Sequence, residues 1–144
     1  MKKIKSAWLA LILIPVAFAF AAIDEDGFVR LQPEDMEWHE QEDSPASYVY
    51  LAGDSNEEGF YMIRAKFPPG VMSSPHYHTT DRHVTVISGT WYTGTGEDFD
   101  KENMIALKPG SYMMHPAGGV HYDGSKGEEV IVEIKGVGPN TTVR

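Results

Sequence analysis

Two histidines separated by one residue, His76 and His78, stand just ahead of the strand-like run His83-Val84-Thr85-Val86-Ile87. Side chains two apart on an extended chain share a face, so both imidazoles present their lone pairs to one side. Two neutral imidazoles held that way form half of a transition-metal site. The other half must come from a distant segment, and Gly110 to His121, with turn glycines, Pro116 and a terminal histidine where the chain re-enters extended structure, is the evident supplier. A set of His76, His78 and His121 suits Fe, Mn, Zn, Ni or Cu with coordination positions left open. No Ser-His-Asp order, phosphate loop, CxxC pair or paired catalytic carboxylate is recognisable, and the chain has no cysteine.

The elements that must position these residues read as strands. Ser47 to Leu51 ends at Gly53-Asp54, and Phe60 to Phe67 alternates, with Tyr61, Ile63, Ala65 and Phe67 on one face and Met62, Arg64 and Lys66 on the other. That alternation describes a strand with one buried side and one wet side. Pro68-Pro69-Gly70 stops it and turns the chain into the histidine pair. Thr90 to Thr93, Met104 to Leu107, Ser111 to His115 and Glu129 to Lys135 follow, each bounded by Gly or Pro. No segment beyond residue 22 carries a sustained 3.6-residue period. The spacing predicts an all-β sandwich or barrel.

The two histidine stretches resemble the signature motifs of the cupin superfamily. In the first, G-x5-H-x-H-x3,4-E-x6-G, the matching residues are Gly70, His76, His78 and Gly89; in the second, G-x5-P-x-G-x2-H-x3-N, they are Gly110, Pro116, Gly118 and His121. The wider run DRHVTVISGTWYTGTG is similar to small single-domain bacterial cupins, and the resemblance covers roughly residues 48 to 139. It implies a cupin-type jelly-roll β-barrel, a double-sheet sandwich, with a divalent metal held where the two motifs meet. Ser125 stands at the final Asn position. The glutamate that many cupins use as a further ligand falls at Arg82, with His83 one residue later.

Parity bears on that vacancy. Arg82 shares a face with Val84 and Val86, so a regular strand aims Arg82 inward and His83 outward; a β-bulge near Asp81 would turn His83 in as an added ligand. An inward guanidinium cannot ligate a cation. It would pair with Asp81, Asp98 or Asp100, or hold an anionic ligand bidentately. Tyr61, Trp91 and Tyr112 are expected with Arg82 around the ligand, with Met113 nearby. His115 is expected to pack or to support a metal-bound imidazole from behind.

The first residues carry Lys2, Lys3 and Lys5, then an apolar run from Ala7 to about Phe20, then small residues at Ala17, Ala19 and Ala21. That pattern predicts a cleavable signal peptide over residues 1–21, and so a periplasmic or secreted protein with no membrane association after cleavage. Residues 22–45 read as an acidic N-terminal arm, with one short strand around Phe28 to Leu31, Trp38 packed onto the domain or a neighbour, and His39 in solvent. Residues 46–144 read as the barrel. Cleavage makes the net charge three units more negative than the −9 of the full chain, which disfavours nucleic acid as a partner. A small-molecule ligand and a homodimer are the expected partners. Two functions fit: a metal-dependent, dioxygenase-like enzyme acting on a small, anionic, oxygenated molecule, and a non-catalytic envelope module that binds or senses a metal or small ligand.

Overall fold

Turn residues divide the chain into short extended segments, and long-range pairing assembles them. The structure, a computed structural model, describes residues 23–42 and 44–144. The expected signal peptide lies outside the described residues. Two units are distinguished, Met1–Arg30 and Leu31–Arg144. Within the first, Ile23 and Val29 form an isolated antiparallel bridge. Oδ1 of Asp24 accepts the N–H groups of Asp26 (3.1 Å) and Phe28 (2.8 Å).

The second unit is built of antiparallel strands: β1 His39–Gln41, β2 Ser44–Ala52, β3 Gly59–Phe67, β4 Tyr77–His78, β5 Arg82–Ser88, β6 Trp91–Thr95, β7 Ile105–Leu107, β8 Tyr112–His115, β9 His121–Gly124, β10 Val130–Gly138 and β11 Thr142–Val143. One sheet has six strands in the order β1-β2-β3-β10-β5-β8; β7-β6-β9 and β11-β4 form smaller sheets. Bridges Met72↔Gly124 and His76↔His121 tie the segment before β4 to β9. The arrangement is the jelly-roll sandwich expected from the motifs. In the segment read as an arm, the strand falls at His39–Gln41, where it pairs with β2, and the 28–31 stretch holds only the bridge at Val29. Trp38 packs under the Lys66 ammonium, 4.0 Å from the ring centroid.

Strand β10 is central because its alternate residues Val130, Val132 and Ile134 can enter the core while Ile131, Glu133 and Lys135 face outward. Tyr61, Ala65, Val84, Val86 and Trp91 complete that core from neighbouring strands. Full burial of a valine contributes about 1.5–3 kcal/mol, so these alternating positions carry much of the sheet's cohesion. Phe67 meets the Trp91 ring edge-on with centroids 4.7 Å apart. On the outer face Glu133 sits between Arg64 (3.3 Å) and Lys135 (2.8 Å). Gly136 faces Tyr61 and Arg82 on the two flanking strands. A Cβ there would lie 2.5 Å from the Tyr61 hydroxyl, so only glycine leaves room for that ring.

Candidate metal and ligand site

His78 belongs to β4, His121 opens β9, and His76 joins the two through its bridge to His121, each residue's N–H donating to the other's carbonyl at 2.9 Å. Ring centroids lie 4.9 Å apart for His76–His78, 4.4 Å for His76–His121 and 5.3 Å for His78–His121. One ring nitrogen from each falls within 4.8 Å of the others, a spacing that could hold a metal ion.

The tautomers favour ligation. Nδ1 of His76 is 2.8 Å from the Ser74 carbonyl, and Nδ1 of His121 is 2.8 Å from the Gly119 carbonyl. A carbonyl only accepts, so each Nδ1 carries the proton and each Nε2 keeps a free lone pair. Both anchors sit two residues before their histidine, a geometry supplied by the turns at Ser74-Pro75 and Gly118-Gly119. Nε2 of His121 is buried with no hydrogen-bond partner among the described residues, a cost of about 1–3 kcal/mol that a bound ion would offset. His78 is arranged differently. Its Nδ1 lies 3.2 Å from Oγ1 of Thr142, and its Nε2 is engaged by Nη1 of Arg82.

Arg82 points inward, as strand parity requires. The bulge that would have turned His83 in is absent: β5 pairs in regular register with β10 and β8 from Arg82 to Thr85. None of the ion pairs among the described residues involves Arg82. Of the acids expected to neutralise it, Asp81 accepts the Ala117 N–H (2.8 Å) and Asp100 caps its own loop through Glu102 and Asn103. Burial draws the Arg82 guanidinium below its usual pKa, while Tyr61, Asp123 and Tyr50 act the other way.

Burial lowers the pKa of all three of His76, His78 and His115. In His78 it acts with the charges of Arg82, His76, His121 and His115, and the value falls to about 2. In His115 it acts with His121, Arg82 and His76, again to about 2. The bond to the Ser74 carbonyl partly opposes the shift in His76. Neutral imidazole is the form that binds metal.

A cavity of about 450 Å³ opens onto this cluster, with His76, His78, Arg82, His115, Asp123 and Trp91 in its wall. Three expected site residues lie elsewhere. His83 is exposed on the opposite face of β5, and its Nδ1 bonds the Tyr112 hydroxyl at 2.8 Å. Tyr112 is 62% exposed, because on β8 it shares the outward face with Met114 while Met113 and His115 face in. Tyr61 is fully buried behind the wall, its hydroxyl accepting from Nδ2 of Asn140 at 2.9 Å.

Sequence reasoning missed Asp123. It stands two residues after His121 on β9, so both side chains share a face, and an H-x-D spacing at the head of a strand was the available signal. Its carboxylate is 7% exposed, with Oδ2 3.3 Å from Nε2 of His115 and 3.9 Å from Nε2 of His121.

The model of the family described as "Domain of unknown function (DUF4437)" matches residues 34–139. Germin-like protein subfamily 3 member 2 of Arabidopsis thaliana is 28% identical over 83 residues. That stretch is 57% of this chain and 37% of the germin-like protein, so the chain spans little more than a third of that relative's length. The polyketide cyclase RemF of Streptomyces resistomycificus superposes with a TM-score of 0.68 at 14% identity, over 81% of this chain and 84% of that one. KdgF of Halomonas sp. gives 0.57 at 16%, over 74% and 93%. A cupin-like protein of Thermotoga maritima gives 0.55 at 19%, over 67% and 74%. At such identities these structures establish a cupin-like fold.

Proposed function

The chain belongs to the DUF4437 family, and from the site this member builds we propose that it is a metal-dependent cupin acting on a small, anionic, oxygenated molecule bound in the cavity. The observation that carries this reading is the convergence of His76 and His78, which line the cavity, with the buried His121, the Nε2 lone pairs of His76 and His121 being held free by backbone carbonyls. The ion would be Fe, Mn, Zn or Ni. When bound, it would supply Lewis acidity, and redox chemistry if it is iron or manganese.

The chain's own residues do the rest. Arg82, lining the cavity with no carboxylate partner among the described residues, offers a fixed positive charge to an anion. Trp91 and the apolar residues Ile63, Phe67 and Val84 exclude water and face the carbon skeleton of the ligand. The first reaction type is oxidative, of the dioxygenase kind, for which His76, His78 and His121 would hold a redox-active ion. A second reading, proton transfer, is favoured by His115: its two ring nitrogens are buried with no hydrogen bond to the described residues, it lines the cavity, and it stands beside the Asp123 carboxylate. RemF, named a polyketide cyclase, and the proteins named DMSP lyases among the structural relatives show that this fold hosts enzymes of several kinds.

Metal analysis of the purified protein tests the reading. Wild type should carry or take up about one equivalent of a divalent transition metal, and His76→Ala or His121→Ala should lose most of it. Iron or manganese favours oxidation; zinc or nickel with a His115-dependent reaction favours proton transfer. Full metal retention in both histidine variants would sink the assignment. We further propose that the protein is exported, on the strength of the lysine-led apolar leader; mass spectrometry of the envelope fraction should find a chain beginning near Ala22 rather than at Met1. A homodimer is proposed as well, supported by the exposed Tyr112 and Met114 on edge strand β8, and sedimentation showing only monomer would count against it.

A further inference from the structure

Around His121 the structure offers two sets of metal-ligating atoms: His76, His78 and His121, and His115, His121 and Asp123. They are not equivalent. In the first set, His78 has its Nε2 engaged by Arg82, so one of the three lone pairs is already used by a cation. In the second, the rings of His115 and His121 stack with centroids 3.5 Å apart and planes 18° from parallel. Lone pairs lie in the ring plane, so those of two stacked imidazoles run alongside each other and do not converge on one ion. His115 is therefore excluded as a co-ligand of His121 in this arrangement.

Asp123 is under no such restriction. Its Oδ1 accepts the Ser73 hydroxyl at 2.9 Å, and Ser73 is itself fixed by the Asp123 backbone through N–H···Oγ (3.1 Å) and N–H···O=C (2.8 Å) bonds. That clamp leaves Oδ2 toward the histidines, 3.9 Å from the free Nε2 of His121. The carboxylate is 7% exposed, and the ion pairs within 4.0 Å among the described residues give it histidines only, no lysine or arginine. A carboxylate buried with no permanent cation in contact is costly, and a divalent ion is the charge that would compensate it.

We propose that Asp123 is the anionic ligand of the metal site, replacing from β9 the glutamate whose position on β5 is taken by Arg82, with His121 as the imidazole it shares. This rests on the metal reading given above. The cupin-type glutamate and Asp123 reach the cluster from opposite sheets, so exchanging one for the other leaves the β5 side free for the guanidinium, and hence for an anion. His115 lies 3.3 Å from the same Oδ2, off the axis of a hydrogen bond, and fixes the carboxylate from the side by contact.

The test is Zn(II) affinity by chelator competition on the full-length purified protein, wild type against Asp123→Asn, with the melting temperature of each chelated form. Asparagine keeps an acceptor for Ser73 and removes the charge. The expected result is at least about tenfold weaker Zn(II) binding in Asp123→Asn, with a chelated melting temperature equal to or above wild type because an uncompensated buried charge is gone. If wild type binds Zn(II) and Asp123→Asn binds it equally well, this inference fails while the metal reading stands. Wild type that binds no Zn(II) sinks both. If Asp123→Asn melts below chelated wild type, the crystal structure of the Zn(II)-loaded wild type decides: Oδ2 at about 2.0–2.2 Å from the ion supports the assignment, and a carboxylate outside coordination distance overturns it.

Discussion

Replacing Arg82 by methionine isolates its charge from its packing, because methionine keeps most of the apolar stem while deleting the guanidinium. Arg82 lines the cavity, and no ion pair among the described residues neutralises it. A small carboxylate bound there would therefore meet an uncommitted charge, and one charge-assisted hydrogen bond is worth about 1.5–3 kcal/mol. Converted to affinity, Arg82→Met should weaken carboxylate binding by about 10- to 150-fold. The same substitution frees Nε2 of His78 and removes a positive charge from beside the ion, so metal affinity should rise. Arg82→Lys should fall between the two, keeping a charge without the bidentate fork. Isothermal titration of wild type and both variants, first with acetate, malonate and citrate and then with Zn(II), reads both effects. Carboxylate affinity unchanged within twofold in Arg82→Met, with metal affinity also unchanged, would refute the anion-holding role of Arg82.

Chelation should lower the melting temperature of metal-loaded protein by roughly 10 °C, since an ion present at 100 times its dissociation constant stabilises the fold by about 2.7 kcal/mol; an unchanged melt after complete metal removal would show that the cluster holds none. His83→Ala should leave metal content untouched and shift stability by no more than about 0.5 kcal/mol, because His83 is exposed and its ring hydrogen-bonds Tyr112 across the outer face. At Glu133 burial raises the carboxyl, but the hydrogen bonds and charges of Lys135 and Arg64 outweigh it, and the pKa lies below its ordinary 4.5. A carboxyl whose folded pKa is depressed adds stability above the unfolded value and loses it as pH falls through the folded one. Glu133→Gln should accordingly melt lower than wild type at neutral pH, with the gap closing as the pH drops below about 4.5; a gap independent of pH would contradict the ion-pair account.

Much of the framework was legible in the sequence because the side-chain period of a strand is local. The alternation in Phe60–Phe67 placed Tyr61 and Ala65 inward, and the same parity placed Arg82 inward and His83 outward, as the regular β5 register bears out. Turn residues marked most strand ends, and the H-x-H and P-x-G-x2-H spacings pointed to His76, His78 and His121. The strands missed were short ones, β1, β4, β9 and β11, of two to four residues, too brief to show a period.

What the sequence by itself determined is which residues share a face within a strand and where the chain turns, since both follow from backbone sterics over a few residues. It did not determine which face of a short strand without polar–apolar alternation is the inner one: Tyr112-Met-Met-His115 reads the same either way, and only pairing of β8 beside β5 turned His115 into the cavity and Tyr112 out. Nor did it reveal that a backbone bridge spanning 45 positions would join His121 to His76, that Ser73 would clamp Asp123 toward the cluster, or that Arg82 would engage His78. Those contacts join segments remote in sequence. They exist because closing the sandwich brings the His76 segment against β9 and sets β5 of the six-stranded sheet against them, a matter of strand order and register that no local period encodes.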